Sequence, residues 1–249
     1  MIDSLVFYPV AIIAILIVGI SKSGFGGGVG VLAVPLMSLF IPPPQAAAIL
    51  LPLLIVMDWF TIWHYRKTWD KRNIVILLPA AMLGILLGSL FFKNLSEAHI
   101  RILVGAIAVL FVANYFIKRQ SVKPHQADVP RGLFWGTIAG FTSFGVHAGG
   151  PPINIYVLPQ KLDKSIFVGT TVIFFTVVNL VKVLPYTLLG QFSTENLLIS
   201  LMLAPLAPLG VWLGVKLHYR VNEKIFYTLC YIFLFITGIK LLVDGVAGL

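Results

Sequence analysis

Two short glycine-rich stretches hold much of the polar chemistry of an otherwise apolar chain. The first is Ser21-Lys22-Ser23-Gly24-Phe25-Gly26-Gly27-Gly28-Val29-Gly30. A lysine beside consecutive glycine N–H groups, close to the positive N-terminal end of a following half-helix, makes an anion site. Ser21 and Ser23 either donate hydroxyls to the same ligand or bond the backbone, and Gly26, Gly27 and Gly28 let the main chain come close. The competing reading has Lys22 snorkelling to an interface.

The second stretch runs Gly140-Phe141-Thr142-Ser143-Phe144-Gly145-Val146-His147-Ala148-Gly149-Gly150-Pro151-Pro152 and leads into Ile153-Asn154. His147 could bind the anion, pass a proton, or be a hydrogen-bonded structural residue. Gly149 and Gly150 allow a turn against a ligand, and Pro151 and Pro152 suit the opening of a half-helix. Asn154 would face a cavity or cap a helix. Three further polar residues sit inside apolar runs: Asp58, Asn179 and Lys182. Asn179 and Lys182 are three apart and share a helix face. Lys182 is either a second buried cation for the anion or the partner of a carboxylate. Asp58 either pairs with a lysine or carries a proton, so Asp58 and His147 are the candidates for proton coupling. His64, beside Trp63 and Tyr65, reads as interfacial, and Tyr186 and Gln191 are weaker candidates near a membrane face.

Other chemistries lack their motifs. No His-x-x-x-His, Cys-x-x-Cys or paired-carboxylate spacing points to a metal or hydrolytic site, and no Gly-x4-Gly-Lys-[Ser/Thr] points to a nucleotide-driven motor. Gly24-Phe25-Gly26-Gly27-Gly28 loosely resembles a dinucleotide loop, but no strand precedes it. The chain is therefore not read as an enzyme. The single cysteine, Cys230, excludes an internal disulfide.

The elements that must position these residues follow from hydropathy. The chain is 59% hydrophobic and 11% charged, with a mean hydropathy of +0.97, which places it among polytopic membrane proteins. The net charge of +9 belongs to basic loops between apolar spans rather than to nucleic-acid binding. No typical secretory leader is legible: Asp3 stands where a basic region would be, so the first segment is expected to stay in the mature protein. Each glycine-rich stretch interrupts an apolar segment whose flanks fall short of the roughly 20 residues a spanning helix needs. Open backbone at membrane depth must line a protein-walled, wet cavity. Broken segments at corresponding places in two halves point to a transporter's binding site.

The halves repeat the same plan. After a broken segment come three apolar runs, at roughly 45–63, 74–92 and 100–117, and again at roughly 165–189, 195–217 and 224–243. Shifted by 126 residues, Leu77, Pro79, Ala81, Leu83, Gly84, Leu87, Gly88 and Glu97 fall on Leu203, Pro205, Ala207, Leu209, Gly210, Leu213, Gly214 and Glu223. The paired glycines read as close helix packing rather than chemistry. The chain divides into a first repeat, 1–118, a cytoplasmic linker, 119–130, and a second repeat, 131–249.

Charge sets the expected topology. If each broken segment crosses once, the loop Lys and Arg residues divide eight to seven across the membrane, with no bias. If each goes in and comes back, as a re-entrant hairpin or two short spans, the loops at 66–72, 118–131, 161–164 and 216–224 share one side with 13 Lys and Arg. The other side then keeps only Lys93 and Arg101. The second arrangement obeys the positive-inside rule. It makes the fold an all-α membrane protein of two inverted repeats, each a broken helix plus three transmembrane helices. Both termini are then outside a multi-pass protein of the cell membrane. The expected partners are a small anion and the lipid bilayer, with room for a coupling proton or other ion and for a homodimer.

Gly-Phe-Gly-Gly-Gly-Val-Gly-Val-Leu-Ala-Val-Pro (24–35), His-Ala-Gly-Gly-Pro-Pro (147–152), Phe-Val-Gly-Thr-Thr-Val-Ile-Phe-Phe (167–175) and Asn-Leu-Val-Lys-Val-Leu-Pro-Tyr (179–186) carry a resemblance over nearly the whole chain. The chain resembles the TauE/SafE family of sulfite and organosulfonate exporters. Where many members repeat a plain glycine run, this chain has His-Ala-Gly-Gly-Pro-Pro. The resemblance implies a small sulfur-containing oxyanion as substrate and no bound cofactor. It leads to a secondary transporter working by alternating access. An integral-membrane accessory or assembly protein and an anion channel are the alternatives.

Overall fold

The computed structural model describes residues 6–24, 27, 30–117, 126–217 and 223–249. Eleven α-helices run through the described residues, with no strand among them: α1 Phe7–Gly24, α2 Ala33–Met37, α3 Pro43–Tyr65, α4 Lys71–Phe92, α5 Glu97–Ile117, α6 Val129–Val146, α7 Gly150–Val157, α8 Lys164–Leu188, α9 Thr194–Leu203, α10 Leu206–Leu217 and α11 Glu223–Ala247. Single helical turns precede α2 and follow α7. The glycines Gly26 and Gly28 and the 118–125 part of the linker lie outside the described residues.

The starts of α4, α6, α8 and α9 are set by side-chain oxygens that satisfy otherwise orphaned N–H groups. Asp70 accepts from Asn73 N at 2.7 Å, Asp128 from Arg131 N at 2.9 Å, Asp163 from Ser165 N at 2.9 Å, and Ser193 from Asn196 N at 3.2 Å. Among the described residues, five helices are long and apolar enough to cross a membrane: α1, α3, α4, α5 over Glu97–Asn114, and α8. The bent pair α9–α10 makes a sixth, with a 42° bend. The bend sits at Pro205, three residues before Pro208, where missing N–H groups interrupt the ladder. α4 carries Pro79 alone at the matching place and stays continuous. Large apolar side chains cover the outside of the bundle, among them Trp59, Trp63, Leu83, Leu90, Leu201 and Ile236. A shell of that kind suits lipid rather than water. The chain is a multi-pass membrane protein.

The main helix pairs are α1 with α10, α4 with α6, α5 with α11, and α3 with α8. Exchanging the halves, α1 for α6, α3 for α8, α4 for α9–α10 and α5 for α11, turns α1–α10 into α6–α4 and leaves the other two pairs unchanged. Close approaches in the α1–α10 and α4–α6 pairs occur at glycines, among them Gly84 and Gly210, which recur between the halves. A Cβ on Gly19 of α1 would lie 2.8 Å from Gly210 Cα of α10, and one on Gly84 of α4 would lie 2.7 Å from Phe141 N of α6. Only glycine lets backbones meet so closely.

Hydrogen bonds place the chain ends of these helices. Asn73 and Gln160 bond each other side chain to side chain at 2.9 and 3.0 Å, Tyr156 donates to Asp128 O at 3.1 Å, and Asp70 N donates to Thr170 Oγ1 at 2.8 Å. Residues 66–73, 128–131 and 156–170 therefore share one end of the bundle. At the other end, Gln45 donates to Asn196 at 3.1 Å and Arg101 to Ser38 O at 3.1 Å. α6 enters from the first end, the chain turns at His147, and α7 leads back to it.

Candidate functional site

The two broken segments and helices α3 and α8 line a small, partly open cavity. Val18 and Lys22 of α1, Gly27 and Gly30 of the first turn, and Ala33 of α2 form one wall. Leu50 and Leu54 of α3, Ser143, His147 and Gly150 of the second turn, and Phe175 and Asn179 of α8 form the rest. Most of this lining is apolar, with a few polar groups converging on it.

Two polar clusters stand along α3. In the first, Lys22 Nζ pairs with Asp58 Oδ1 at 2.6 Å. Asn179 Nδ2 donates to Asp58 Oδ2 at 2.7 Å and Thr176 Oγ1 to Asp58 Oδ1 at 3.3 Å. Both residues of the ion pair are buried, Lys22 at 7% exposure and Asp58 at 2%, so neither charge could stand alone at this depth. In the second cluster, Lys182 Nζ donates to Ser143 O and Ser143 Oγ, each at 3.1 Å, and meets His147 Nδ1 at 2.7 Å. An ammonium has only donors, so Nδ1 accepts and the proton of the neutral imidazole sits on Nε2. That nitrogen lies 2.9 Å from Ala47 O and donates to it. Ala47 and Asp58 are eleven residues apart on α3, about 16 Å along its axis, so the clusters occupy different depths.

The second turn owes its shape to His147, which is in the left-handed region at φ 53°. Histidine, with asparagine and aspartate, is enriched there among non-glycine residues. His147 N donates to Ser143 O and Ala148 N to Thr142 O, each at 3.1 Å, closing the end of α6. Tyr186 stacks on the imidazole at 6.2 Å between centroids, packs edge-on against Phe144 and tilts against Phe192. Its hydroxyl donates to Phe144 O at 2.6 Å. These aromatics lie between the cavity and the 189–196 end. Tyr186 stands in the last turn of α8 and is fully enclosed, at 1% exposure. Gln191 lines a smaller second cavity with Tyr186, and its buried Oε1 has no hydrogen-bond partner. His64 is exposed beside exposed Trp63.

The residues singled out in the sequence divide into those gathered here and those turned elsewhere. Lys22, Gly27, His147, Gly150 and Asn179 line the cavity, while Asp58 and Lys182 stand directly behind lining residues. Gly27, at φ 77°, uses its N–H within the turn, donating to Ser21 O at 2.9 Å. Ser23 faces away: its hydroxyl reaches Gly19 O at 2.8 Å and Val211 O at 2.9 Å, against α10. Ser21 is wholly buried outside the lining. Gly149 packs against Ala139 O, Phe175 and Ser143 and does not line the cavity. Asn154, half-buried on α7, also lies outside the lining, and its Oδ1 has no hydrogen-bond partner. Lys22, not Lys182, is the lysine that carries the carboxylate. Two contributors were not singled out, Thr176 and the accepting groups of Ser143. Thr176, Asn179 and Lys182 recur every three residues, a polar stripe along one face of α8 that the sequence does display.

No curated protein and no solved structure matches the chain. A protein-family model described as sulfite exporter TauE/SafE matches residues 11–241, which takes in both broken segments, the ion pair of Lys22 and Asp58, and the polar stripe of α8. With that match over nearly its whole length, the chain belongs to the sulfite exporter TauE/SafE family of membrane transporters.

Proposed function

We propose that this protein is a secondary transporter that exports a small sulfur oxyanion, sulfite or an organosulfonate, and that the anion occupies the cavity between the two glycine-rich turns. One observation carries the reading: two buried lysines stand at this cavity, Lys22 in its lining and Lys182 directly behind it, and among the described residues Asp58 is the one carboxylate paired with either. Buried cations at membrane depth are costly and mark substrate paths. An anion supplies the missing counter-charge where water is scarce. The polar donors of Lys22, Ser143 and Asn179 provide its hydrogen bonds, and the apolar walls exclude its competitors' hydration shells.

Alternating access fits the same arrangement. The two halves insert in opposite senses, and rocking of one against the other exposes the cavity first to the basic end of the bundle, which faces the cytoplasm, and then to the opposite side. The ion pair of Lys22 with Asp58 and the hydrogen bond of His147 with Lys182 each tie a broken helix to the next helix of its own half, so each must yield or travel as a unit during the swing. His147 is the group through which a proton would couple to anion movement.

The test is counterflow in liposomes loaded with the purified protein. Internal unlabelled sulfite or methanesulfonate should drive saturable uptake of the labelled anion. Flux that never saturates would indicate a channel. No anion-dependent flux at all would favour an accessory role.

A further inference from the structure

Charges in the cavity add up to a rule about its ligand. Among the described residues, the ionisable groups in and directly behind the lining are Lys22, Asp58, His147 and Lys182. Asp58 faces Lys22 from α1 and Thr176 and Asn179 from α8, and among the described residues no other carboxylate pairs with Lys22 or Lys182. The hydrogen-bond pattern assigns a charge to each group. Asp58 accepts from three donors through both oxygens, as an ionised carboxylate does. His147 accepts on one nitrogen and donates on the other, as a neutral imidazole does. Lys182, which meets Ser143 O, Ser143 Oγ and His147 Nδ1, is taken as the ammonium. One lysine charge is cancelled and one is left over.

We propose that Asp58 is a specificity-determining residue that sets the cavity to take a monoanion, hydrogen sulfite or a sulfonate, in preference to a dianion such as sulfate. The inference rests on the transport reading above. Asp58 occupies Lys22 and leaves a single uncompensated charge, so a monoanion makes the dehydrated site neutral. A dianion leaves one negative charge unpaired at membrane depth, which is disfavoured in a medium of low polarity. Specificity here comes from a built-in repulsion: the carboxylate beside Lys22 opposes the second negative charge. Sulfite gains a proton near neutral pH and so enters as hydrogen sulfite, whereas methanesulfonate and sulfate keep fixed charges of one and two.

The experiment measures binding of methanesulfonate and sulfate to the full-length, monodisperse protein by calorimetry, in wild type and three variants. Wild type should prefer methanesulfonate by at least tenfold. Since sulfate also loses more hydration, the decisive quantity is how the ratio moves. Asp58→Asn exposes the second lysine charge and should shift the ratio toward sulfate by at least tenfold. The double variant Lys22→Met/Asp58→Asn restores one net charge and should return the ratio to wild type. Lys182→Met removes the uncompensated charge and should lose methanesulfonate binding. An unchanged ratio in Asp58→Asn, or a double variant that keeps the Asp58→Asn ratio, would overturn the charge rule. Equal affinity of wild type for both anions would do the same without any variant. Should Asp58→Asn not fold, retention of methanesulfonate binding in Lys182→Met is enough to refute the rule. Wild type that binds neither anion would instead remove the transport reading on which the rule stands.

Discussion

At the scale of single residues, the chemistry of this protein depends on who partners whom. Lys22 and Asp58 form a buried pair at 2.6 Å, so truncating one strands the other. Lys22→Met should destabilise the protein by about 3–5 kcal/mol, the usual cost of leaving a buried charge unpaired. Lys22→Met/Asp58→Asn removes both charges and should be markedly more stable than Lys22→Met alone. Thermal denaturation in detergent checks this, and additive losses would mean that the pair is not coupled. His147 invites a different test. Protonation of Nδ1 would cost Lys182 its acceptor and set two cations 2.7 Å apart, so we propose that any proton coupling through His147 breaks that bond. His147→Gln keeps an acceptor for Lys182 but cannot titrate. Transport of methanesulfonate, which does not titrate either, should depend on pH in wild type and lose that dependence in His147→Gln. A profile that survives the substitution would take His147 out of the proton path.

At the scale of helices, glycine decides how closely the broken segments can sit against their partners. The α1–α10 and α4–α6 interfaces bring backbones together where a Cβ on Gly19 or Gly84 would lie 2.8 or 2.7 Å from main-chain atoms of the facing helix. Gly19→Val and Gly84→Val should each prevent the native packing, seen as loss of monodisperse protein in size-exclusion chromatography. Gly190 is the control. It has φ 66° and nothing within 4 Å of its missing Cβ. Gly190→Ala should cost only the backbone term of roughly 1–2 kcal/mol and leave a folded protein. A Gly84→Val variant as well behaved as Gly190→Ala would show that these contacts are not the constraint they resemble. The 42° bend between α9 and α10 interrupts a span whose counterpart, α4, is continuous, and the second proline, Pro208, accounts for it.

At the scale of the whole molecule, in-and-back broken segments carry a testable orientation. Asp128, Gln160, Asn73 and Thr170 lie at one end of the bundle, the end that carries the basic loops. Single cysteines at 67, 130 and 162, introduced in a Cys230→Ser background, should all react from the cytoplasmic side with a membrane-impermeant reagent. Cysteines at 40, 94 and 192 should react from outside. Position 162 labelled from the side opposite to 130 would exclude the in-and-back path of the second segment. With that labelling pattern both termini would be outside and the two halves would insert in opposite senses, the geometry an alternating-access cycle uses.

The sequence by itself determined the broad frame. Hydropathy required a membrane, since no aqueous core needs a chain this apolar, and the two glycine-rich interruptions required a protein-lined cavity, since open backbone cannot face lipid. The 126-residue shift located the glycines at which helices meet, because close packing leaves its mark on the small residues themselves. Tertiary structure alone decided the pairings. Sequence spacing says nothing of which helices lie side by side, so it could not tell that Asp58 joins Lys22 rather than Lys182, or that Ser23 turns to α10 while Ser143, one turn before His147, accepts from Lys182. The lone charge that defines the cavity is the outcome of those long-range contacts, and for that reason it was legible only in three dimensions.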